Sequence, residues 1–589
     1  MANFLDPVRT PDWKIAQSAE KKMKKIYELR DELGLKQAEV YPYGHYVGKL
    51  DYSSILSRFK DQPYGKYVDV TAITPTPLGE GKSTTTIGLL EGLGKIGKRP
   101  VGAIRQPSGG PTFNIKGSAA GGGLAQCVPL TEFSLGLTGD IDAITNAHNL
   151  AMVALTSRIQ HEFNYSDAVL AKKKIKRLDI DPRNVAIGWA MDFSAQALRE
   201  IIIGLGDKMN GFMMKSGFQI SVSSEIMAIL AISTNLKDFR ERIGKMIVAY
   251  DKKGNAITTN DLEVDGAMTA LLSKVIYPNL IQTLEWQPVL VHAGPFANIA
   301  LGQSSVIADY IGLKLGDYHV TESGFGSDIG FEKFWNLKCR YSGLEPDCSV
   351  LVVTIRALKM HGGGPKVVPG KPLDESYTTK NIHLVEKGIR NLFAHIDIIK
   401  RSGIQPVVCI NYFHTDDPEE IDFVKKHTEE MGVRVAVSRH WLKGGEGAIE
   451  LAEAVVDACE DKHRFKYLYD DNISLNSKIE LIAKEIYGAN GVKYTDVAFE
   501  KLDNIQSHSE YKYFGACMAK THLSLSHDPS KKGRPRGWIL PINDILLYRG
   551  AGLAVPVVGD VKLMPGTASE PAYRNIDIDI KTGLVTGLF

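Results

Sequence analysis

Short apolar runs that are rich in β-branched residues recur along the chain, separated by stretches with helical spacing. Such runs are typical of strands buried on both faces of a sheet. Strands that alternate with helices predict an α/β fold with a mostly parallel sheet that is covered on both faces. Seven segments carry this pattern, namely residues 68–73, 101–104, 288–292, 318–321, 349–354, 406–411 and 433–437.

Outside these runs the pattern changes from region to region. Residues 1–40 predict a helix-rich lead-in, because their apolar positions fall near helical spacing. Residues 157–280 are predicted to be mainly helical, with a tight surface hairpin at 251–255. After residue 464 the chain predicts a separate region that ends in β-rich turns.

A chain of 589 residues is too long for one hydrophobic core, so several domains are expected. Clusters of glycine and proline between residues 362 and 372 form the clearest linker. We therefore expect a large first domain over 1–366, with its helical insertion at about 157–280. A second α/β domain would cover 367–465, and a C-terminal domain would cover 466–589.

The strongest motif follows the first predicted strand, where a Pro/Gly turn leads into a Gly-Lys-Ser that opens a helix. Backbone N–H groups and a helix N-terminus bind anions, Lys82 adds a positive charge, and Ser83 can reach a Mg²⁺ ion. Thr76 stands where a Walker A pattern has its first glycine, but the strand–turn–helix context favours a P-loop in the large domain over a chance loop. The expected nucleotide- and phosphate-binding residues are Thr76, Pro77, Leu78, Gly79, Glu80, Gly81, Lys82 and Ser83.

Two glycine-rich stretches come soon after the P-loop, over residues 105–113 and 115–123. Glycines leave room for backbone to approach a ligand. Arg105 lies at the end of a predicted strand, where open α/β sheets place their ligands. A flexible surface loop is the alternative, but it offers no reason to embed Arg105 among small residues.

Composition narrows the class of protein. The net charge of +2 gives no reason to expect a nucleic-acid partner. The six cysteines are scattered without a Cys-x-x-Cys pair, which argues against a zinc site or a disulfide framework. The N-terminus has no signal-peptide pattern, and no apolar run approaches the length of a membrane span. We therefore expect a cytoplasmic enzyme without a membrane partner.

The motifs together closely resemble those of the formate–tetrahydrofolate ligase family, and they run in one order along nearly the whole chain. Gln106 and the segment 519–526 are more similar to the eukaryotic form than to the common bacterial form. The matching segments are residues 76–83, 105–108, 295–300, 321–326, 356–363, 440–441, 517–527 and 564–566.

This resemblance implies an ATP-dependent C–N ligase of one-carbon metabolism, with a large P-loop domain, two smaller α/β domains and the active site between them. ATP and formate would give formyl phosphate and ADP, and tetrahydrofolate would then be formylated on N10 with release of phosphate. Lys82 would hold the transferring phosphoryl group, Arg105 would contact formyl phosphate, and Ser83 would help to place Mg²⁺. The family also suggests a homodimer or homotetramer.

A flat pterin needs aromatic faces to stack on. Phe413 and Trp441 match the family residues that sandwich the pterin ring, and Phe296 is expected near the same cleft. Without the resemblance, a single Phe or Trp is more often a core residue. Gln106 stands where bacterial members carry a glutamate linked to potassium activation, so no potassium dependence is expected.

Five positions depart from the family pattern inside or beside its motifs. One interpretation is neutral drift in a working formate ligase. Another is a divergent member that acts on a different pterin or carboxylate, because lost hydrogen-bonding groups often accompany a changed partner. A third is a nucleotide-binding homologue without catalytic activity. The five positions are Leu124, Gly136, Asp142, Leu301 and Thr567.

Overall fold

A twelve-stranded sheet runs through the centre of the molecule in the computed structural model. The structure describes residues 5–110, 113, 119–297, 300–559, 566–567 and 570–588. The predicted α/β class with a large, mostly parallel sheet is confirmed.

Strands occur along the whole chain. In the described residues they are β1 (Val40–Tyr43), β2 (Val47–Leu50), β3 (Lys66–Ala72), β4 (Pro100–Ile104), β5 (Gly121–Gly122), β6 (Ala125–Val128), β7 (Ile180–Val185), β8 (Trp189–Met191), β9 (Ile201–Ile203), β10 (Met214–Ser216), β11 (Phe218–Ile220), β12 (Ile247–Asp251), β13 (Ala256–Thr258), β14 (Asn279–Thr283), β15 (Pro288–Val291), β16 (Tyr318–Glu322), β17 (Cys348–Val353), β18 (Pro406–Asn411), β19 (Arg434–Ser438), β20 (Gly491–Tyr494), β21 (Gly515–Ala516), β22 (Ile539–Ile542), β23 (Asp544–Tyr548), β24 (Leu553–Val557), β25 (Asp577–Ile578) and β26 (Val585–Thr586).

Helices separate most of the strands of the main sheet. In the same described ranges the α-helices are α1 (Asp12–Glu20), α2 (Ile26–Glu32), α3 (Tyr52–Arg58), α4 (Lys82–Lys95), α5 (Leu130–Ser134), α6 (Asp140–Asn164), α7 (Asp167–Lys172), α8 (Glu225–Ile232), α9 (Leu236–Gly244), α10 (Asp265–Leu271), α11 (Val306–Leu315), α12 (Cys339–Ser342), α13 (Ile355–His361), α14 (Glu375–Thr378), α15 (Ile382–Arg401), α16 (Pro418–Glu429), α17 (His440–Lys443), α18 (Ile449–Ala458), α19 (Leu475–Leu481) and α20 (Asp496–Ser507).

The seven predicted strands are all present, and they form the uninterrupted parallel part of the sheet. Their order is β15-β4-β16-β3-β17-β18-β19, and every neighbouring pair in this run is parallel. Antiparallel strands β14, β2 and β1 extend the sheet beyond β15. A parallel order needs crossover connections, which the intervening helices supply.

Both faces of the parallel run are buried, which explains why most positions of its strands are apolar without alternation. Val350 and Val352 face one hydrophobic cluster together with helices α4 and α18. Leu351 and Val353 face a second cluster together with α15 and the C-terminal region. Successive side chains of a strand point to opposite faces, so each face needs its own apolar set.

The prediction of a mainly helical region over 157–280 is wrong. Seven strands, β7 to β13, lie there among the helices. Most of them are too short to show a period in the sequence, and their pairing with distant segments decides their conformation. The predicted hairpin is confirmed, because β12 and β13 pair in antiparallel fashion around Gly254, whose φ is 88°.

The expected boundary at 366/367 does not coincide with an end of the sheet. Strand β18 pairs with β17 across it, and β19 continues the same sheet. Helices α13 and α15 pack on each other, and Lys359 forms a buried ion pair with Glu420 at 2.9 Å. The three-domain division therefore stays a prediction.

The predicted helices near the start of the chain and the predicted β-rich end are confirmed, whereas the separate C-terminal region stays a prediction. Helices α1 and α2 form the lead-in, and the last hundred residues contain short paired strands. None of the helices that the structure describes is long and apolar enough to cross a membrane.

Candidate active site

A cavity of about 620 Å³ lies at the carboxyl ends of the parallel strands. Ligands of open α/β sheets bind at this edge. The cavity is lined by Lys82, Ser83, Arg105, Phe413 and Trp441, which come from four separate stretches of sequence. The structure therefore brings together the residues that the motifs single out for phosphate, formyl phosphate and pterin.

The predicted phosphate loop joins β3 to α4. Gly79 and Gly81 both adopt left-handed backbone conformations, with φ of 82° and 73°. Gly81 precedes the first turn of α4, and Lys82 is the first residue of that helix. Left-handed φ strains residues that carry a Cβ, so these two positions favour glycine. The loop thereby presents the N-terminus of α4 to the cavity.

Glu80 turns its carboxylate into the protein. The carboxylate accepts a 2.6 Å hydrogen bond from the backbone N–H of Thr76 and a second from the hydroxyl of Thr354. The side chain is 1% exposed. Glu80 therefore braces the loop internally, and Thr76 is buried with it. Leu78 and Gly79 line the cavity, whereas Pro77 belongs to the loop without appearing in the lining.

Arg105, Ser83 and Glu322 meet at the next strand end. The Ser83 hydroxyl donates to Glu322 Oε2 at 2.7 Å, and Arg105 Nε lies 3.8 Å from Glu322 Oε1. Glu322 ends β16, between β3 and β4 in the sheet. Arg105 Nε and Glu322 Oε1 are buried and have no hydrogen-bond partner among the described residues. A buried polar atom without a partner is unfavourable, which points to a ligand at this corner.

Trp441 is seated between two glycine-rich surfaces. A Cβ on Gly123 would lie 2.4 Å from the Trp441 carbonyl oxygen, and Leu124 N–H donates to that oxygen at 2.9 Å. On the other side, His440 packs against Gly88 of α4, where a Cβ would lie 2.4 Å from the His440 Cβ. These close approaches require glycine, and they hold the Trp441 ring beside Gly122 and Gly123, where a Cβ on Gly123 would lie 2.7 Å from Trp441 Cδ1.

Phe413 lies just past the end of β18 and carries a charged neighbour. The Arg356 guanidinium sits over its ring, with Cζ 4.8 Å from the centroid. The backbone N–H of Phe413 donates to Asp416 Oδ2 at 2.8 Å. Burial raises the pKa of Asp416 to about 6, and the hydrogen bond from Phe413 offsets only part of this increase.

Phe296 does not line the cavity. Its side chain packs against a hydrophobic cluster, while the next residue, Ala297, reaches the cavity. The buried Lys333 fixes this turn, because its amine donates to the carbonyl oxygen of Ala297 at 2.7 Å and to that of Ala300 at 2.9 Å. Asn298 and Ile299, from the same motif, lie outside the described residues.

Two buried histidines hold the strand end that leads into the predicted phosphate loop. Thr74 N–H donates to His395 Nε2 at 2.8 Å, and His361 Nε2 lies 2.8 Å from the Thr74 carbonyl oxygen. Burial lowers the pKa of His395 to about 4 and that of His361 to about 3. His395 is therefore neutral at pH 7 and accepts the Thr74 hydrogen bond through Nε2.

None of the five departures lines the cavity, although Leu124 contacts the lining residue Trp441 through its backbone. Leu301 is fully buried and Leu124 nearly so, each in a hydrophobic cluster. Gly136 has a φ of 100°, which favours glycine for conformational reasons. Asp142 and Thr567 are exposed.

Gln106 is 3% exposed. Its side-chain amide donates to the Gly136 carbonyl oxygen at 3.4 Å, and its backbone N–H donates to Ala293.

Several cavity residues were missed by sequence reasoning. Glu322 lies one residue beyond a predicted strand, so the strand-end argument used for Arg105 could have found it. The others reach the cavity through tertiary packing. Three of them lie in segments that resemble the family motifs, at 321–326, 356–363 and 517–527, and three more flank Phe413, so motif position was the available signal. These other residues are Asp12, Phe325, Arg356, Asn411, Tyr412, His414 and His522, with the rings of Phe325 and His522 stacked at 4.3 Å.

Fold and cavity define an α/β enzyme whose candidate active site lies at the carboxyl edge of a parallel sheet. A family model described as formate–tetrahydrofolate ligase matches residues 10–589. The chain belongs to the formate–tetrahydrofolate ligase family.

Curated relatives match over almost their whole length. A formate–tetrahydrofolate ligase of Dehalococcoides mccartyi (strain CBDB1) is 64% identical over 585 residues, covering 99% of this chain and 98% of the relative. Those of Desulforapulum autotrophicum and Thermodesulfovibrio yellowstonii are 62% and 60% identical, each covering 99% of this chain and 100% of the relative. The expected closer likeness to eukaryotic members is not shown by these relatives.

Proposed function

We propose that this chain is an ATP-dependent ligase that joins formate to the N10 amine of tetrahydrofolate through formyl phosphate. The observation that carries the proposal is the shared cavity. Its lining includes the predicted phosphate loop, Arg105 with a buried Nε that has no hydrogen-bond partner among the described residues, and two aromatic side chains. These groups suit the three ligand groups that the reaction requires the site to bind, namely a triphosphate, an acyl phosphate and a flat pterin.

In the first step, a formate oxygen attacks the γ-phosphorus of ATP and ADP leaves. Lys82 and the N-terminus of α4 hold the transferring phosphoryl group. Arg105 faces the same corner and stabilises the charge that develops on the acyl phosphate. Phosphorylation turns a poor leaving oxygen into phosphate, which makes the formyl carbon open to attack.

Ser83 and Glu322 fit a Mg²⁺ site beside the phosphates. Their oxygens are 2.7 Å apart, and the second Glu322 oxygen is buried without a hydrogen-bond partner among the described residues. Those residues hold no group of three or more His, Cys, Asp or Glu side chains arranged for a metal. A bound Mg²⁺ would therefore take most of its oxygen ligands from phosphates and water, and it would neutralise phosphate charge.

In the second step, the N10 amine attacks the formyl carbon, phosphate leaves and the nitrogen loses its proton. An arylamine is neutral near pH 7, so placement is the main requirement. Phe413 and Trp441 line the cavity and provide faces for the pterin ring. The five departures lie outside this lining, so the geometry favours the ordinary substrates over a changed pterin or carboxylate.

The test is ADP formation by the purified protein with ATP and Mg²⁺, with formate and tetrahydrofolate added separately and together. We expect turnover only when both are present. ATP binding without turnover under all these conditions would overturn the proposed activity.

Arg105→Ala tests the catalytic assignment. Loss of a group aimed at developing charge lowers kcat by about 10²–10³-fold. Arg99→Ala is the matched control, because Arg99 pairs with Asp317 at the surface and is expected to leave kcat unchanged. Equal effects of the two substitutions would contradict the role of Arg105.

A further inference from the structure

Arg356 occupies the wall of the cavity where the phosphate loop approaches the aromatic segment. It is the second residue of α13 and lines the cavity. Thr354 caps this helix by accepting from Ala357 N–H at 3.0 Å, and the same hydroxyl donates to Glu80. The N-terminus of α13 is therefore fastened to the phosphate loop, and Arg356 moves with it.

The Arg356 guanidinium makes one contact with the phosphate loop and one with the Phe413 ring. Its Nη2 donates to the Gly79 carbonyl oxygen at 3.0 Å, within the phosphate loop. Its Cζ lies 4.8 Å from the centroid of the Phe413 ring, on the pterin side. A planar guanidinium can serve both at once, because its edge donates hydrogen bonds while its face lies on a ring.

A second link runs parallel to this one. Asn411 Nδ2 donates to the Glu80 carbonyl oxygen at 3.0 Å, and Asn411 precedes Phe413 by two residues. A Cβ on Gly81 would lie 2.5 Å from the same Asn411 nitrogen. Consecutive carbonyl groups of the loop are thus held by two side chains, Gly79 by Arg356 of α13 and Glu80 by Asn411 at the strand end that leads to Phe413.

The guanidinium also has an unused donor. Arg356 Nε is buried and has no hydrogen-bond partner among the described residues. A buried donor without a partner is unfavourable. Ligand binding is therefore favoured if it rearranges this corner of the cavity so that Nε gains a hydrogen-bond partner. A movement of the Gly79 carbonyl and a movement of the Phe413 ring would each change the position of the Arg356 side chain.

We propose that Arg356 is a positioning residue that couples nucleotide binding at the phosphate loop to pterin binding at Phe413. The inference rests on the proposed function. Occupation of the loop by phosphates fixes the Gly79 carbonyl, the carbonyl orients the guanidinium, and the guanidinium holds the Phe413 ring in its stacking position. Coupling between two sites is reciprocal, so bound pterin tightens nucleotide binding by the same factor.

The experiment measures the Kd of tetrahydrofolate with and without a non-hydrolysable ATP analogue and Mg²⁺. It also measures the Kd of that analogue with and without tetrahydrofolate. For the unaltered chain we expect the analogue to tighten tetrahydrofolate binding at least about 5-fold, within the usual range of such couplings. For Arg356→Met, which keeps the length of the stem, we expect the factor to fall below about 2-fold. Each ligand alone should bind nearly as before.

Arg439→Met is the matched variant, because the Arg439 guanidinium lies 4.6 Å over the neighbouring ring of Tyr412. We expect its coupling factor to equal that of the unaltered chain. Arg356→Lys, which keeps the charge, provides a second variant if Arg356→Met does not fold, and it should show a reduced factor. Thermal unfolding of each variant separates a loss of coupling from a loss of stability.

The outcomes keep this inference apart from the proposed function. An unaltered chain that binds both ligands without coupling, or an Arg356→Met variant that keeps full coupling, overturns the role of Arg356. A chain that binds neither ligand, or forms no ADP with both substrates, overturns the proposed function itself.

Discussion

At the scale of a single residue, Gln106 carries the expectation that the enzyme does not respond to potassium. Its amide is buried and uncharged, and it points at the Gly136 carbonyl oxygen. A neutral amide supplies no charge to hold a monovalent cation. We expect the rate of ADP formation to be the same with sodium or potassium at equal ionic strength. A clear rise in rate with potassium would contradict this prediction.

Gln106→Glu supplies the converse test. The carboxylate would face the Gly136 carbonyl oxygen, so two acceptors would meet in a buried place. A cation between them would relieve the repulsion. We expect this variant to lose activity in a buffer without alkali-metal ions and to recover it with potassium.

Phe413 and Trp441 should act on pterin affinity alone. A stacked ring contributes about 0.5–1.5 kcal/mol beyond the area it buries, which corresponds to about 2- to 12-fold in Kd. We expect Phe413→Leu and Trp441→Leu each to weaken tetrahydrofolate binding by at least this factor. The Kd of nucleotide, measured without pterin, should stay within about 2-fold.

Phe296→Leu distinguishes a Phe296 side chain in the hydrophobic core from one that contacts the pterin. Because Phe296 packs on the core, the variant should lower the unfolding temperature and leave the Kd of tetrahydrofolate unchanged. A weakened Kd with unchanged stability would place Phe296 at the pterin after all.

At the scale of elements, the strand end before the phosphate loop depends on a neutral histidine. Burial lowers the pKa of His395 from 6.5 to about 4, so the unfolded chain binds this proton at higher pH than the folded one. Its contribution to stability is complete above about pH 6.5 and is lost as the pH falls towards 4. The loss from this one group is on the order of 3 kcal/mol.

His395→Gln tests that contribution, because a glutamine oxygen can still accept from Thr74 N–H without titrating. We expect the free energy of unfolding of the variant to fall less between pH 6.5 and 4 than that of the unaltered chain. Identical pH dependence in denaturant titrations would show that His395 is not held neutral.

Element prediction succeeded where a segment is long and buried on both faces. Strands β3 and β17 are recognisable in the sequence because both of their faces pack against hydrophobic clusters, so most of their positions are apolar. Prediction failed over 157–280, since three-residue strands such as β9 and β10 pair only with each other and carry no period. Their conformation depends on partners that local sequence does not identify.

At the scale of the whole molecule, the sheet argues against a cut at residue 366. A chain of residues 1–366 would expose the edge of β17 and leave Lys359 buried without Glu420. Removal of one partner from a buried ion pair costs about 3–5 kcal/mol, and an exposed apolar edge promotes aggregation. We expect this fragment to aggregate or to show no cooperative thermal unfolding.

Co-expression with residues 367–589 should restore a soluble complex, because the missing strands and carboxylate return together. A monomeric fragment 1–366 that unfolds cooperatively and binds ATP would instead establish the boundary as a true domain limit.

The sequence by itself determined the α/β class, the seven parallel strands, the glycine turn that opens α4 and the residues that carry the family likeness. These features are local, because turn geometry, burial and motif spacing are written within a few neighbouring residues. Only the tertiary structure decided that Glu80 faces inward, that Phe296 packs on the core, and that Arg356 reaches both Gly79 and Phe413. Such contacts join residues far apart along the chain, and nothing in their own neighbourhoods specifies the partner.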